Sequence, residues 1–451
     1  MAKLFNKGII ISLICMCTAH GVSAQSLRTS YFMDGVNMRM QLNPALQPMK
    51  GYINIPVLGC FEMGAYSNSI GIKNTSNIID NNGDLDYDKL LDHLKQDNRL
   101  NLNVNTDILS FGWYRGKSFW SVNVGLHIDV GYSIPKSMFE YTHYSSERDY
   151  DRLFAKGAPD IRNFSLNVNG YSDIGVGYSR PINNKLTVGG RVKLLLGIAN
   201  AELKLDELRM TPESNPYDSG YSSVLLRTKA HLYTSMHGMG LTENENGIID
   251  DVDFDKFGIA GYGAAVDLGL AYKISNRITV SAAINDLGFI SWSKSSTSYA
   301  EAISNRDLSW DEFTDISDEG EILNYDLMGL EIKDKKSRTT SLASTLVVGG
   351  EYMFANQKLS VGILSTTRFS KPKTQSEVTL SANYRPNNNF NATFSYSAVQ
   401  ANGKSFGLGL KCGMLFLGTD YMFFGNGTNN VNLFLGMSIP LGKKRPSPDD
   451  L

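Results

Sequence analysis

His127 and Asp129 stand two residues apart in the stretch SFWSVNVGLHIDVG, Ser118–Gly131. Two residues apart on a strand means one face, and a histidine with an acid to orient it is two thirds of a hydrolytic constellation. The other histidines beyond the leader, His93, His143, His231 and His237, are scattered. No G-x-S-x-G elbow and no H-E-x-x-H occurs. The plainer reading of His127 and Asp129 is a hydrogen-bonded lumen polar pair on a wet face, and it is preferred. Three acidic runs raise the question of divalent ions: Asp80–Asp88, Glu243–Asp255 and Asp311–Glu321. The first resembles a calcium loop, but its glycine comes early and Leu91 stands where the twelfth-place glutamate belongs. All three read as solvated loops. No catalytic residue, cofactor or metal site is assigned.

The stretch that carries His127 also shows what must position it. Trp120, Val122, Val124, Leu126, Ile128 and Val130 alternate with Ser121, Asn123, Gly125, His127 and Asp129. One face of this strand is apolar throughout and the other polar. Such a strand suits a soluble β-protein with a core. It equally suits a membrane barrel, apolar face on lipid and polar face on a wet lumen. Residues 1–24 read as a secretory signal peptide: Lys3 and Lys7, an apolar run from Gly8 to Thr18, and Val22-Ser23-Ala24 before the cleavage point. Beyond it no apolar run is long enough for a spanning helix. Mean hydropathy is −0.20, as expected of a barrel whose strands are half polar. A net charge of −2 argues against a nucleic-acid partner. Cys60 and Cys412 make no disulfide framework and read as two unpaired, buried thiols.

Residues 25–50 contain Pro44 and Pro48 and form a lead-in or a short plug, and residues 51–441 form the barrel. The first strand is read over Gly51–Asn68, followed by Asn101–Tyr114, Ser118–Gly131, Ile161–Ser179 and Lys185 to about Leu205. Helical spacing marks Tyr87–Gln96 and the loop Pro135–Lys156. Phe257–Tyr272 and Arg277–Trp292 follow, then an acidic, partly helical loop to Arg338, then seven strands in near-continuous hairpins to Leu441. Residues 442–451 are a polar tail.

Tyr221–Met236 is the ambiguous stretch. Counted as a barrel strand, it puts every later long loop on the short-turn side, against the rule for such barrels. Assigned to a loop from Asp206 to Lys256, it leaves fourteen strands with all long insertions on one side. The expected class is therefore all-β, a transmembrane antiparallel barrel of fourteen strands, with sixteen as the alternative. A propeller would need a repeat near 40 residues, and none is visible. Trp113, Trp120, Tyr132, Tyr178, Tyr272, Trp292, Tyr352, Tyr384 and Phe424 fall at expected membrane borders, where amphipathic rings settle. The implied place is the outer membrane of a Gram-negative bacterium, both termini periplasmic. The implied partners are outer-membrane lipid and lipopolysaccharide.

Leu42-Asn43-Pro44-Ala45 resembles the Asn-Pro-Ala element of the long-chain fatty acid transporter (FadL-type) outer-membrane family. Asn285-Asp286-Leu287-Gly288-Phe289-Ile290-Ser291-Trp292 resembles a strand motif of related Bacteroidota barrels. Together with Tyr31-Phe32-Met33-Asp34 and Ile55-Pro56-Val57-Leu58-Gly59 they look like an uncharacterised barrel family of that group. The resemblance implies fourteen strands, an N-terminal plug with Asn43, Pro44 and Ala45 as its gate, and passage of small hydrophobic molecules through plug and lateral opening. Three functions stand open: a FadL-like channel for small hydrophobic solutes, a structural barrel docking another envelope protein, and, least supported, a lipid-modifying enzyme using His127 and Asp129.

Overall fold

The computed structural model describes residues 27–445 except residues 70, 72–77, 79–85, 216–219, 318–324, 334, 355–357, 371–373, 400–404 and 422–429. The expected signal peptide, the Phe424 border position, most of the Asp80–Asp88 run and most of the polar tail lie outside the described residues.

Fourteen antiparallel strands close into a ring. They are β1 (Lys50–Asn54, continued by Phe61–Ser67), β2 (Asp97–Arg115), β3 (Ser118–Pro135), β4 (Phe164–Pro181), β5 (Leu186–Ser214), β6 (Gly261–Lys273) and β7 (Ile278–Trp292). There follow β8 (Arg338–Ser341 with Ser344–Met353), β9 (Leu359–Phe369), β10 (Gln375–Asn387), β11 (Phe390–Val399), β12 (Ser405–Cys412), β13 (Leu415–Thr419) and β14 (Asn430–Lys444). Closure is made by β14 on β1, with Tyr52 opposite Pro440 and Phe61 opposite Leu435. A closed ring leaves no unpaired strand edge, the condition for backbone in a bilayer. The turns at one end are short because their residues satisfy the freed amides locally. Asn183 accepts from the amides of Lys185 and Leu186 at 2.8 Å each, Asn387 from Asn389 and Phe390 at 2.9 Å each, and Gly116 and Gly413 take positive φ.

The outer surface carries an apolar belt. Val192, Leu194, Leu268, Leu270, Val348, Ile363 and Leu380 all point outward and are exposed. Water would not leave so much apolar surface uncovered, whereas lipid covers it at no cost. Trp113, Tyr178, Tyr272, Tyr352 and Tyr384 ring the short-turn end of this belt, also exposed. Trp120 joins them, its ring 4.8 Å from that of Tyr178.

Four expectations are corrected. β1 is not continuous: Pro56, with no N–H to give the ladder, and Val57, at φ 65°, loop out between its two halves. Trp292 is no border residue. It is fully buried, pointing inward, and its indole N–H donates to Thr340 Oγ1 at 2.8 Å. The cause is a bulge in β7 at Asp286 (φ 58°), where the register with β6 shifts. One extra residue turns every later side chain to the opposite face. Cys412 is exposed rather than buried, and it and buried Cys60 are both free.

The fourth concerns the loops. Tyr221–Met236 stays outside the ring, as parity requires, but it is a full strand. It pairs with the part of β5 beyond Ala199 on one side and with Thr297–Ser309, a strand within the expected helical loop, on the other. β5 thus runs past Leu205 to Ser214 and rises from the barrel as one strand of a flap. Helices Lys136–Ser146, Tyr150–Phe154, Trp310–Ser317 and Tyr325–Met328 cover one face of that flap. Leu203, Leu205, Met210, Leu226, Phe313 and Phe154 share the core between sheet and helices.

Candidate functional site: the lumen

The lead-in is a plug. Residues 27–33 are all buried, and so are most residues to Met49. Tyr31, Phe32, Met33 and Val36 pack on Val347, Leu364, Phe416 and Phe434 of the inner wall. The wall makes room with glycine: a Cβ at Gly362 would meet the Phe32 ring at 2.6 Å, and one at Gly349 the Tyr31 ring at 2.8 Å.

Asn43, Pro44 and Ala45 sit at the tightest of these approaches. Asn43 is fully buried. Its amide nitrogen donates to the Tyr31 hydroxyl at 3.1 Å and to the wall carbonyls of Leu270 at 3.2 Å and Ala282 at 3.3 Å. Its side-chain oxygen accepts from the Ala45 amide at 2.9 Å, closing a turn that aims Pro44 at the wall. A Cβ at Gly189 would overlap the Pro44 carbonyl, and one at Gly269 the Asn43 amide. Asn285 donates to the Leu42 carbonyl at 2.8 Å and Gln47 to the Ser179 carbonyl at 3.0 Å. At the short-turn end Asp34 holds Arg39 (2.9 Å) and Arg445 (3.1 Å). Burial works to raise the Asp34 pKa, but the guanidiniums of Arg445, Arg39 and Arg385 outweigh it and hold the carboxyl well below its usual range.

His127 and Asp129 do face the lumen, as alternation requires, but they do not pair. His127 Nε2 lies 2.7 Å from Asp173 Oδ1 and Nδ1 2.9 Å from Asn105 Oδ1, with the ring stacked on Tyr171. Asp129 instead accepts from Arg368 at 2.7 Å, across the barrel. Asn105 and Asp173 lie on the neighbouring strands β2 and β4 and Arg368 on distant β9, and none of these pairings could be read from one strand. Around them lies a charge cluster that sequence reading passed over. Lys193 sits between Asp267 (2.9 Å) and Asp286 (2.7 Å), beside Arg191. Its signal was present as single charges at polar-face positions of β4 to β7. The cluster surrounds a cavity of about 100 Å³, and no serine or cysteine hydroxyl or thiol joins His127 there among its lining residues. Buried charges in mutual pairs of this kind hold a wall together.

Above the Asp129–Arg368 pair the lumen widens into a vestibule of about 690 Å³ on the long-loop side. Asp129 and Arg368 border both spaces and separate them. Residues 318–321 of the third acidic run lie outside the described residues. The Glu243–Asp255 run forms a hairpin, Met239–Glu243 with Ile249–Phe254, and the Asp311–Glu321 run opens on a helix. No group of three metal-binding side chains occurs among the described residues.

Three solved structures resemble this fold in outline. A TodX mutant monoaromatic hydrocarbon channel is 11% identical, with a TM-score of 0.44 over 89% of this chain and 93% of that one. The toluene transporter TbuX of Ralstonia pickettii is 12% identical, with a TM-score of 0.43 over 90% and 94%. The CymD monoaromatic hydrocarbon channel is 12% identical, with a TM-score of 0.38 over 88% and 91%. Likeness of this degree says nothing about cargo. No curated protein matches the sequence. Residues 44–420 match the family described as a family of unknown function, DUF5723, and the chain belongs to that family.

Proposed function

We propose that the protein is an outer-membrane channel of the FadL-like type for small hydrophobic solutes, held closed by its own N-terminal segment. The observation that carries this is the seat of Asn43-Pro44-Ala45. A short, irregular segment is bound to the wall by one asparagine and by backbone contacts over glycine, and it stands across the lumen of a closed barrel. Hydrogen bonds and an ion pair along the plug hold it there, among them Thr29 to Asp420, Asn285 to the Leu42 carbonyl, Gln47 to the Ser179 carbonyl and Arg445 to Asp34, so opening must break several of them together. The apolar belt supports the membrane location, and the side that carries every long insertion is the natural outer face. The hydrophobic cargo is supported by the resemblance of Leu42–Ala45 to the FadL-type element.

The test leaves the plug's sequence intact. Gly189→Val drives a side chain into the Pro44 carbonyl, where the obstacle is backbone and cannot rotate away. In planar bilayers the native barrel is expected to be nearly silent and Gly189→Val to conduct. Lipid extraction with native mass spectrometry of the barrel in mild detergent should recover a hydrophobic small molecule, lost in Asn43→Leu. Equal silence of both barrels, with no extracted molecule, would sink the channel reading.

A second reading, a barrel that docks another envelope component, is favoured by one observation. Residues with amide, hydroxyl or charged side chains outnumber apolar ones around the vestibule. Capture of one stoichiometric envelope protein by the native barrel, lost on deleting Tyr221–Met236, would move the assignment there.

A further inference from the structure

We infer that the vestibule is a binding site for a neutral, hydroxyl-rich ligand, a short saccharide. The inference stands whether or not the plug opens, because the site lies wholly on the long-loop side of the Asp129–Arg368 pair. Its volume of about 690 Å³ falls within the range of small-ligand sites. Asn101, Asn167 and Asn169 contribute amides from two strands, β2 and β4, while Asn200 of β5 is held by the Val168 carbonyl and by Arg338. Ser337, Thr339, Thr340 and Ser341 contribute hydroxyls from the facing wall. Amides and hydroxyls both donate and accept, and that is the bonding pattern of a sugar hydroxyl.

The charges nearly cancel, which disfavours a strongly ionic ligand. Each guanidinium is matched by a carboxylate: Arg368 by Asp129 at 2.7 Å and Arg338 by Glu202 at 3.2 Å. Lys336, its ammonium 5.7 Å from the centre of the Tyr299 ring, is the one lining cation with no carboxylate against it among the described residues, and the pairs still offer strong donors and acceptors side by side. Arg338 is also held in place. Its guanidinium lies 4.8 Å from the centre of the Tyr233 ring, whose other face stacks on Tyr299 at 4.4 Å. A guanidinium fixed in this way loses little freedom when a ligand binds beside it.

The alternation of β5 explains how the site arises. Asn200 and Glu202 face the vestibule, whereas Leu203 and Leu205 lie in the flap core. The flap therefore continues the polar inner wall of the barrel above the membrane belt and deepens what would otherwise be a shallow mouth.

The test is equilibrium binding by the full chain in detergent micelles against a panel of neutral di- to tetrasaccharides, up to about 10 mM, the weak limit of specific sites. At least one is expected to bind saturably. Asn169→Leu and, separately, Arg338→Leu should each weaken it tenfold or more, with heat-modifiable gel migration confirming that both barrels fold. Asn169→Leu spares both ion pairs, so a loss there does not depend on disturbing the wall. Absence of saturable binding across the panel overturns the inference. So does binding unchanged in both folded variants. The channel reading is judged separately by the conductance of Gly189→Val, so failure of one leaves the other readable.

Discussion

The two largest apolar cores among the described residues stand apart. One is inside the barrel, where Tyr31, Phe32 and Met33 of the plug meet Val347, Leu364 and Phe416 of the wall. The other is outside it, where the flap sheet meets its helices around Phe313, Leu205 and Met210. Both bury aromatic and aliphatic side chains completely. They differ in what surrounds them. The plug core is packed against the wall's inner face and needs no helix, so its loss opens a hole. The flap core stands on helices and needs no lipid, so its loss leaves the barrel whole. The vestibule belongs to neither core, and Leu342 on its wall packs instead with Trp292 and Leu195.

Phe32→Ala and Phe313→Ala break this comparison most strongly. Each removes a buried ring, 3% and 0% exposed, and each should cost about 3–5 kcal/mol locally. Phe32→Ala is expected to raise bilayer conductance while limited proteolysis of the flap stays unchanged. Phe313→Ala should do the reverse, exposing the flap to protease with conductance unchanged. A variant that altered both readouts equally would mean that the two interiors are coupled through the vestibule.

The next largest effect separates lipid from water. Val192 on β5 and Ile303 on the flap strand Thr297–Ser309 are nearly equally exposed, at 63% and 70%. Arginine at Val192 faces the bilayer and should cost about 2–4 kcal/mol. Arginine at Ile303 faces water and should change stability by no more than about 0.5 kcal/mol. Urea unfolding in lipid vesicles measures both. Equal costs would contradict the membrane belt, since nothing but lipid distinguishes the two surfaces.

The same pair shows what could be read from the residues alone. Fourteen strands and their order were legible because alternation recurs in each strand and because loop lengths obey parity. The upper half of β5 was not. Leu203 and Leu205 alternate just as Val192 and Leu194 do, and a pattern of period two cannot say whether helices or lipid cover the apolar face. Thr297–Ser309 escaped notice because its buried positions include the small Ala300 and Ala302, a weak signal beside its charges. The lumen face of His127 and Asp129 was legible; their partners were not, because Asp173 depends on the register between β3 and β4 and Arg368 on a distance across the barrel, and neither leaves a trace in spacing along one strand. The Asn43 site was legible as a motif and a position. Its wall contacts showed only as glycines at Gly189 and Gly269, which read alone as ordinary strand glycines.

The smallest expected effect concerns how the plug is latched at the short-turn end. Asp34 pairs with Arg39 beside it in the plug and with Arg445 just past β14, and Arg445 also donates to the Gln47 carbonyl at 3.1 Å. One carboxylate therefore ties the start of the plug, its end and the last strand together. The Asp34 pKa is lowered in the folded protein from an ordinary 3.8. A depressed acid adds stability that is fully present above the ordinary value and is lost as pH falls through the folded one. Closure should therefore be constant from pH 8 to about 5 and weaken only below about 4. Asp34→Asn should loosen the plug at neutral pH by about 1.5–3 kcal/mol, the worth of hydrogen bonds to a charged group, and flatten the acid response. Conductance against pH reads both. An acid response that survives in Asp34→Asn would assign it to the charge cluster around Lys193 instead, and the latch would then lie in the wall rather than in the plug.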